Sequence, residues 1–89
     1  MIKHYNITVS GKVQGVFYRA STKHKAEELG ITGFVRNEPS GIVYIEAEGQ
    51  MAQLSALIDW CKIGPKHARV ENVHFYPGDI MDFEGFAIR

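Results

Sequence analysis

The hydrophobic pattern of the chain switches between a period of two residues, typical of strands, and a period of about 3.6 residues, typical of helices. Tyr5, Ile7 and Val9 alternate with polar residues and predict a strand, whereas Leu54 and Leu57 belong to a helical stripe. The predicted elements are a strand at 3–10, a helix at 20–30, strands at 32–37 and 42–48, a helix between Gly49 and Gly64-Pro65, and a strand at 68–76. Phe86 and Ile88 allow a short fifth strand at the end of the chain.

This order of elements limits the fold to few architectures. Strand, helix, strand, strand, helix, strand is the β-α-β-β-α-β order of the ferredoxin-like α+β fold, with two helices on one face of an antiparallel sheet. The length of 89 residues predicts a single domain, 1–89. The alternation slips between Val70 and Val73, which predicts a bulge in the fourth strand. The fold hosts many functions, so function must be argued from particular residues.

Charge is distributed unevenly along the chain although the net charge is zero. Residues 1–26 contain five Lys and Arg and no acid, whereas the remainder contains ten acids and five Lys and Arg. The positive charge of residues 1–26 therefore favours binding of an anion near this part of the chain. The neutral total argues against broad binding of nucleic acid, which usually requires a basic domain.

The single cysteine, Cys61, excludes an internal disulfide and fits a reducing cytoplasm. Its place on the apolar stripe of the second helix predicts core packing rather than reactivity. No apolar run is long enough to cross a membrane, and the N-terminus lacks the apolar core of a signal peptide. We expect a soluble, unprocessed, cytoplasmic protein, and a monomer because no long apolar stripe requires a partner.

Residues 11–19, Gly-Lys-Val-Gln-Gly-Val-Phe-Tyr-Arg, lie where the first strand passes into the first helix. Glycines there permit a tight turn with converging N–H groups, and a helix N-terminus adds partial positive charge. The guanidinium of Arg19 suits a phosphate or carboxylate. The segment resembles a cradle for an oxyanion, although a plain turn with an exposed Arg19 explains its composition equally well. The backbone N–H groups of the predicted cradle belong to Gln14, Gly15, Val16, Phe17, Tyr18 and Arg19.

Asn37 ends the segment Gly33-Phe34-Val35-Arg36-Asn37, just before a turn with Pro39 and Gly41. If the hairpin pairs with the first strand, Asn37 lies at the strand end nearest the glycine-containing loop. Its amide does not titrate near neutrality, but it can orient a water molecule. Local bonding to the backbone is the other interpretation of an asparagine before a turn.

Together these segments resemble the acylphosphatase family. Residues 11–19 are similar to its first signature, Gly-x-Val-Gln-Gly-Val-x-[Phe/Tyr]-Arg, and Gly33 to Asn37 followed by Gly41-Ile42-Val43 and Gly49 are similar to its second. The resemblance continues through Trp60-Cys61-Lys62, Gly64-Pro65 and Ala68-Arg69-Val70, so it covers nearly the whole chain.

The resemblance implies hydrolysis of acyl phosphates, a small-molecule substrate class, to a carboxylate and inorganic phosphate. It assigns phosphoryl binding to Arg19 and the loop N–H groups, and orientation of the attacking water to Asn37. It requires no metal and no cofactor, and it implies no nucleic-acid or membrane partner.

Other interpretations remain at this point. One is a sheet that binds RNA through exposed aromatic residues, which the acidic Glu46 and Glu48 disfavour. Another is a relative of the acylphosphatase-like domain of larger carbamoyl-transfer proteins, which we expect less because the chain stops at Arg89. The four histidines lack metal-ligand spacing and predict surface or hydrogen-bonded roles, and Ser21 is expected to cap the first helix.

Overall fold

The computed structural model describes all residues, 1–89, and contains five strands and two helices in the predicted order. The elements are β1 (Lys3–Lys12), α1 (Tyr18–Leu29), β2 (Thr32–Asn37), β3 (Val43–Gly49), α2 (Met51–Cys61), β4 (Arg69–Gly78) and β5 (Phe86–Ile88). Neither helix is both long and apolar enough to cross a membrane.

The strands form one sheet in the order β4-β1-β3-β2-β5. The first four pair antiparallel, as predicted, and the short fifth strand that the sequence allowed is present. It pairs parallel to β2, so the sheet is mixed at that edge. The reason is the path of the chain after β4. Residues 79–85 lead from one edge strand to the other, and Gly33 N–H then donates to the Gly85 carbonyl at 2.9 Å.

The two helices pack on one face of the sheet and enclose the core. Alternate strand residues, including Ile7, Val9 and Ile45, are fully buried there, as period-two patterning requires. The inward face of α2 consists of Leu54, Leu57, Ile58 and Cys61. Met51 is 43% exposed, because it is the first residue of α2 and lies at the end of this face.

Burial of Cys61 confirms the predicted packing role. Its side chain is 0% exposed, and burial raises the pKa of the thiol to about 12. The thiol therefore stays protonated and unreactive in the folded protein.

Helix α1 begins two residues earlier than its apolar pattern predicts. Phe17 is the N-cap, with left-handed backbone angles of φ 65° and ψ 22°, and no side chain caps the helix. The prediction that Ser21 caps it is wrong, because Ser21 lies within the helix and its N–H donates to the Phe17 carbonyl. Arg19 consequently lies in the first turn of α1.

The predicted bulge in β4 is confirmed next to the start of the loop. Ser10 pairs with Asn72 and Gly11 with Val70, so Glu71 has no partner on β1. Gly11 has φ 123°, and a Cβ there would collide with the backbone carbonyl of Arg69. Only glycine allows the two strands to approach this closely where β1 ends.

A cluster of hydrogen-bonded polar side chains lies on the sheet face opposite the helices, beneath residues 79–85. His4 is 3% exposed, and its Nδ1 lies 2.7 Å from Glu48 Oε2. The Glu48 carboxylate also accepts hydrogen bonds from two backbone N–H groups, from Met81 at Oε2 (2.6 Å) and from Phe83 at Oε1 (3.3 Å). His4 Nε2 lies 2.9 Å from Asn6 Oδ1. The hydrogen-bonded role predicted for the histidines is confirmed for His4, in the interior rather than at the surface.

Candidate active site

The loop between β1 and α1 is held by side chains that alternate between the interior and solvent. Val13, Val16 and Tyr18 are 1%, 7% and 1% exposed, whereas Phe17 and Arg19 face outward. The Tyr18 hydroxyl donates to the Cys61 carbonyl at 2.7 Å, which ties the start of α1 to the end of α2. Burial, together with the adjacent Cys61, raises the pKa of Tyr18 far above its ordinary value, so this donor stays protonated.

Gln14 joins the same loop to the turn between β2 and β3. Its Nε2 donates to the carbonyls of Glu38 and Ile42, at 2.8 and 2.9 Å. Glu38 directly follows Asn37 in the chain. Both amide hydrogens of Gln14 therefore fix the loop relative to the strand end that carries Asn37. The sequence offered no sign of this, because the two acceptors are backbone atoms 24 and 28 residues away.

The backbone of the loop retains its hydrogen-bonding capacity. No N–H group from Gln14 to Ala20 has an acceptor within the protein. The first N–H group in α1 that has one is that of Ser21, which donates to the Phe17 carbonyl. Free N–H groups at a helix N-terminus, with the aligned peptide dipoles behind them, favour an anion. The six N–H groups predicted as a cradle thus have no hydrogen-bond acceptor within the protein.

Asn37 occupies the last position of β2, opposite Val43 of β3. Its Oδ1 is the only buried side-chain oxygen or nitrogen in the protein that has no hydrogen-bond partner. Leaving such an atom unpaired costs about 1–3 kcal/mol, and most proteins avoid it. Local bonding to the backbone, the simpler interpretation of this residue, therefore does not occur through Oδ1.

Arg19 and Asn37 line one cavity of about 320 Å³. The complete lining is Val13, Gly15, Phe17, Tyr18, Arg19, Ala20, Asn37 and Ile88. Of the six residues of the predicted cradle, Gln14 and Val16 are absent from this lining, because their side chains anchor the loop. Ile88, Val13 and Ala20 were not predicted as site residues. Ile88 reaches the cavity only because β5 pairs beside β2, which the sequence did not indicate.

The charge of the cavity is positive. Arg19 forms no ion pair within the protein, unlike Arg36, whose Nη2 lies 3.1 Å from Glu38 Oε1. No acidic residue lines the cavity. No group of three or more His, Cys, Asp and Glu side chains is arranged to hold a metal ion anywhere in the chain.

The fold and this cavity define an α+β domain with a positively charged cavity at a strand-to-helix loop. Residues 5–88 match the family model described as acylphosphatase. An acylphosphatase of Marinobacter nauticus is 58% identical over 72 residues, which are 81% of this chain and 78% of that protein. The chain belongs to the acylphosphatase family.

Solved structures agree with this assignment and with the ferredoxin-like fold. An acylphosphatase from Coxiella burnetii superposes with a TM-score of 0.96 at 41% identity, over 99% of this chain and 93% of that chain. Full-length HypF, solved in a phosphate- and nucleotide-bound form, superposes with a TM-score of 0.93 at 28% identity over all of this chain and 12% of that chain. The hydrolase activity predicted from the sequence is confirmed as that of the family.

Proposed function

We propose that this chain hydrolyses acyl phosphates in the cavity that Arg19 and Asn37 share, releasing a carboxylate and inorganic phosphate. The observation that carries the proposal is that Asn37, whose buried Oδ1 has no hydrogen-bond partner, lines the same cavity as Arg19, which forms no ion pair. Asn37 suits a water molecule and Arg19 suits a phosphoryl group. Hydrolysis of an acyl phosphate requires water to attack that group.

The phosphoryl group binds to Arg19 and to the loop N–H groups of residues 14–19. Arg19 supplies a full positive charge and directed donors, and the N-terminus of α1 adds partial charge at the same position. Buried Val13, Val16 and Tyr18 hold these donors in place before the substrate arrives. Donors fixed in this way stabilise charge on the phosphoryl oxygens without reorganising during the reaction.

Asn37 orients the attacking water by accepting a hydrogen bond at Oδ1. The water attacks phosphorus, the bond from phosphorus to the acyl oxygen breaks, and the carboxylate departs with that electron pair. The amide does not titrate, so the proton of the water passes to a phosphoryl oxygen of the substrate. A carboxylate is a good leaving group, so positioning and charge stabilisation suffice, without a metal, a cofactor, a nucleophilic side chain or a strong base.

The same proposal covers the organisation of the protein. Residues 1–89 act as one acylphosphatase domain, as a monomer in the cytoplasm, on a small-molecule substrate and without nucleic-acid or membrane partners. The zero net charge and the single, buried cysteine support this description. An RNA-binding sheet is not supported. Phe34, on the sheet face opposite the helices, is only 4% exposed and packs against Phe83 of residues 79–85, the covering segment of this face.

Hydrolysis of benzoyl phosphate by the purified protein tests the proposal. The wild type should turn over the substrate, and Arg19→Ala and Asn37→Ala should each lose at least about a hundredfold in kcat/KM. Arg69→Ala and Asn72→Ala are matched controls on β4, where neither residue lines the cavity, and they should keep the wild-type rate. A wild type without activity, or full activity in both cavity variants, contradicts the proposal.

A further inference from the structure

Phe17 breaks two local rules at the rim of the cavity. A left-handed backbone is uncommon outside glycine, asparagine and aspartate, and an N-cap is usually Ser, Thr, Asp or Asn. Phe17 has φ 65° and caps α1 without a side-chain hydrogen bond. Its side chain is 79% exposed, so burial does not compensate for the strained backbone. A strained residue that solvent surrounds, at a cavity, indicates a role toward a ligand.

The wall of the cavity next to the phosphoryl-binding groups is apolar. Five of its eight lining residues are hydrophobic, and the only charged one is Arg19. Of the hydrophobic five, Phe17 and Ile88 are the large side chains with exposed surface, at 79% and 44%. Val13 and Tyr18 are buried and offer a ligand little area. The surface available beside Arg19 and Asn37 is thus that of an aromatic ring and a branched aliphatic side chain.

We propose that Phe17 and Ile88 form the subsite for the acyl group and select acyl phosphates with an aromatic or branched apolar acyl group. This inference rests on the proposed function, which uses Arg19, Asn37 and the loop N–H groups for the phosphoryl end of the substrate. The acyl end then faces the apolar wall. An aromatic acyl group removes apolar surface from water on both partners, whereas an acetyl group is too small to cover Phe17. A charged acyl group loses hydration there without gaining an opposite charge.

The ratio of kcat/KM for benzoyl phosphate to that for acetyl phosphate measures the selection. Phe17→Asn tolerates the left-handed backbone and removes the ring, so it should lower the ratio about fivefold to tenfold, and Ile88→Ala about threefold. Phe17→Tyr keeps the ring and should retain the wild-type ratio. Ile63→Ala removes a side chain that is 74% exposed outside the cavity and should leave the ratio unchanged. An unchanged ratio in both Phe17→Asn and Ile88→Ala overturns the proposal.

Binding of two non-hydrolysable probes separates this inference from the proposed function. In phenacylphosphonate and acetonylphosphonate a CH₂ group replaces the bridging oxygen of benzoyl and acetyl phosphate. Calorimetry should show tighter binding of the phenacyl probe to the wild type and loss of that preference in Phe17→Asn. If the wild type hydrolyses neither acyl phosphate but keeps this preference, the subsite stands and the proposed function fails. Equal affinity for the two probes in the wild type contradicts the subsite, whatever the hydrolysis assay shows.

Discussion

Two buried polar regions of the protein differ in how far their polar atoms are satisfied. Beneath residues 79–85, Glu48 accepts hydrogen bonds from His4, Met81 and Phe83, and both ring nitrogens of His4 have partners. Near the cavity beside α1, Oδ1 of Asn37 and the N–H groups of residues 14–20 have no hydrogen-bond partner. The first region uses its polar atoms to hold the chain together. The second leaves its polar atoms without partners, which is the difference expected between a structural network and the proposed active site.

The two regions also differ in charge. His4 lies between the carboxylates of Glu46 and Glu48, with Nε2 3.2 Å from Glu46 Oε1. Charges of both signs therefore compensate one another under the covering segment. The cavity contains the single charge of Arg19 and no carboxylate. It is suited to supply charge to a bound anion rather than to stabilise the fold.

Substitution of Asn37 should have the largest effect on activity and little effect on stability. Asn37→Ala should lower kcat about a hundredfold to a thousandfold, because the water loses its acceptor. Its free energy of unfolding should stay unchanged or rise by about 1 kcal/mol, since an unpaired buried oxygen is removed. Steady-state kinetics and urea unfolding of the same preparation measure both. Asn37→Ala with a large loss of stability would show that the oxygen has a structural role instead.

Glu48 should show the opposite behaviour. Glu48→Ala leaves His4 and the N–H groups of Met81 and Phe83 without their acceptor and should cost about 3 kcal/mol of unfolding free energy. Under conditions where the variant is folded, its kcat should remain within about twofold of the wild type. Glu84→Ala, an exposed carboxylate of the same segment, serves as the control. A kcat that falls in parallel with stability would remove the distinction between the two regions.

Gln14 should affect catalysis through Asn37. Gln14→Ala removes both bonds to the β2–β3 turn and should lower kcat about tenfold while changing the affinity for inorganic phosphate much less. In the Asn37→Ala background the same substitution should cost little, because the residue that it positions is already absent. A double-mutant cycle on kcat measures the coupling. Fully additive effects would mean that Gln14 acts independently of Asn37.

The polar cluster should make stability depend modestly on pH. Burial opposes the charged form of His4, but its hydrogen bonds to Glu48 and Asn6 and the charges of Glu46 and Glu48 outweigh burial and raise its pKa above 6.5. The stabilising contribution of His4 is therefore complete below pH 6.5 and is lost as the pH rises through the raised value.

The pKa of Glu48 is shifted downward, opposite to the shift of His4. Burial opposes its charged form too, but the hydrogen bonds from His4, Met81 and Phe83 and the charge of His4 lower its pKa below 4.5. Its contribution is complete above pH 4.5 and is lost as the pH falls through the lowered value. The cluster should thus stabilise most between about pH 4.5 and 6.5. Urea unfolding measured through this range and beyond both of its ends should show a maximum of stability that His4→Gln flattens on the alkaline side. An equally steep alkaline decline in that variant would exclude His4 as the cause.

The sequence was sufficient to predict what depends on local pattern. The order of the elements, the bulge opposite Gly11 and the burial of Cys61 followed from periodicity, and the hairpin placed Asn37 at the strand end near the loop. What it could not predict depends on distant backbone atoms. The bonds of Gln14, the parallel pairing of β5 and the contacts of Glu48 with Met81 and Phe83 join residues with no common local pattern. The early start of α1 was missed because Phe17 takes the N-cap position and a left-handed backbone, against the preference of its residue type.

Titration with inorganic phosphate tests most directly the division of roles between Arg19 and Asn37. In ¹⁵N-labelled wild type, the amide resonances of residues 14–20 should shift together with one dissociation constant, since these N–H groups have no acceptor within the protein. Arg19→Ala should weaken phosphate binding at least about tenfold, while Asn37→Ala should change it less than about threefold despite its loss of kcat. If the loop amides do not respond to phosphate, or if Asn37→Ala weakens binding as much as Arg19→Ala does, the assignment of phosphoryl binding to the loop and water orientation to Asn37 is wrong.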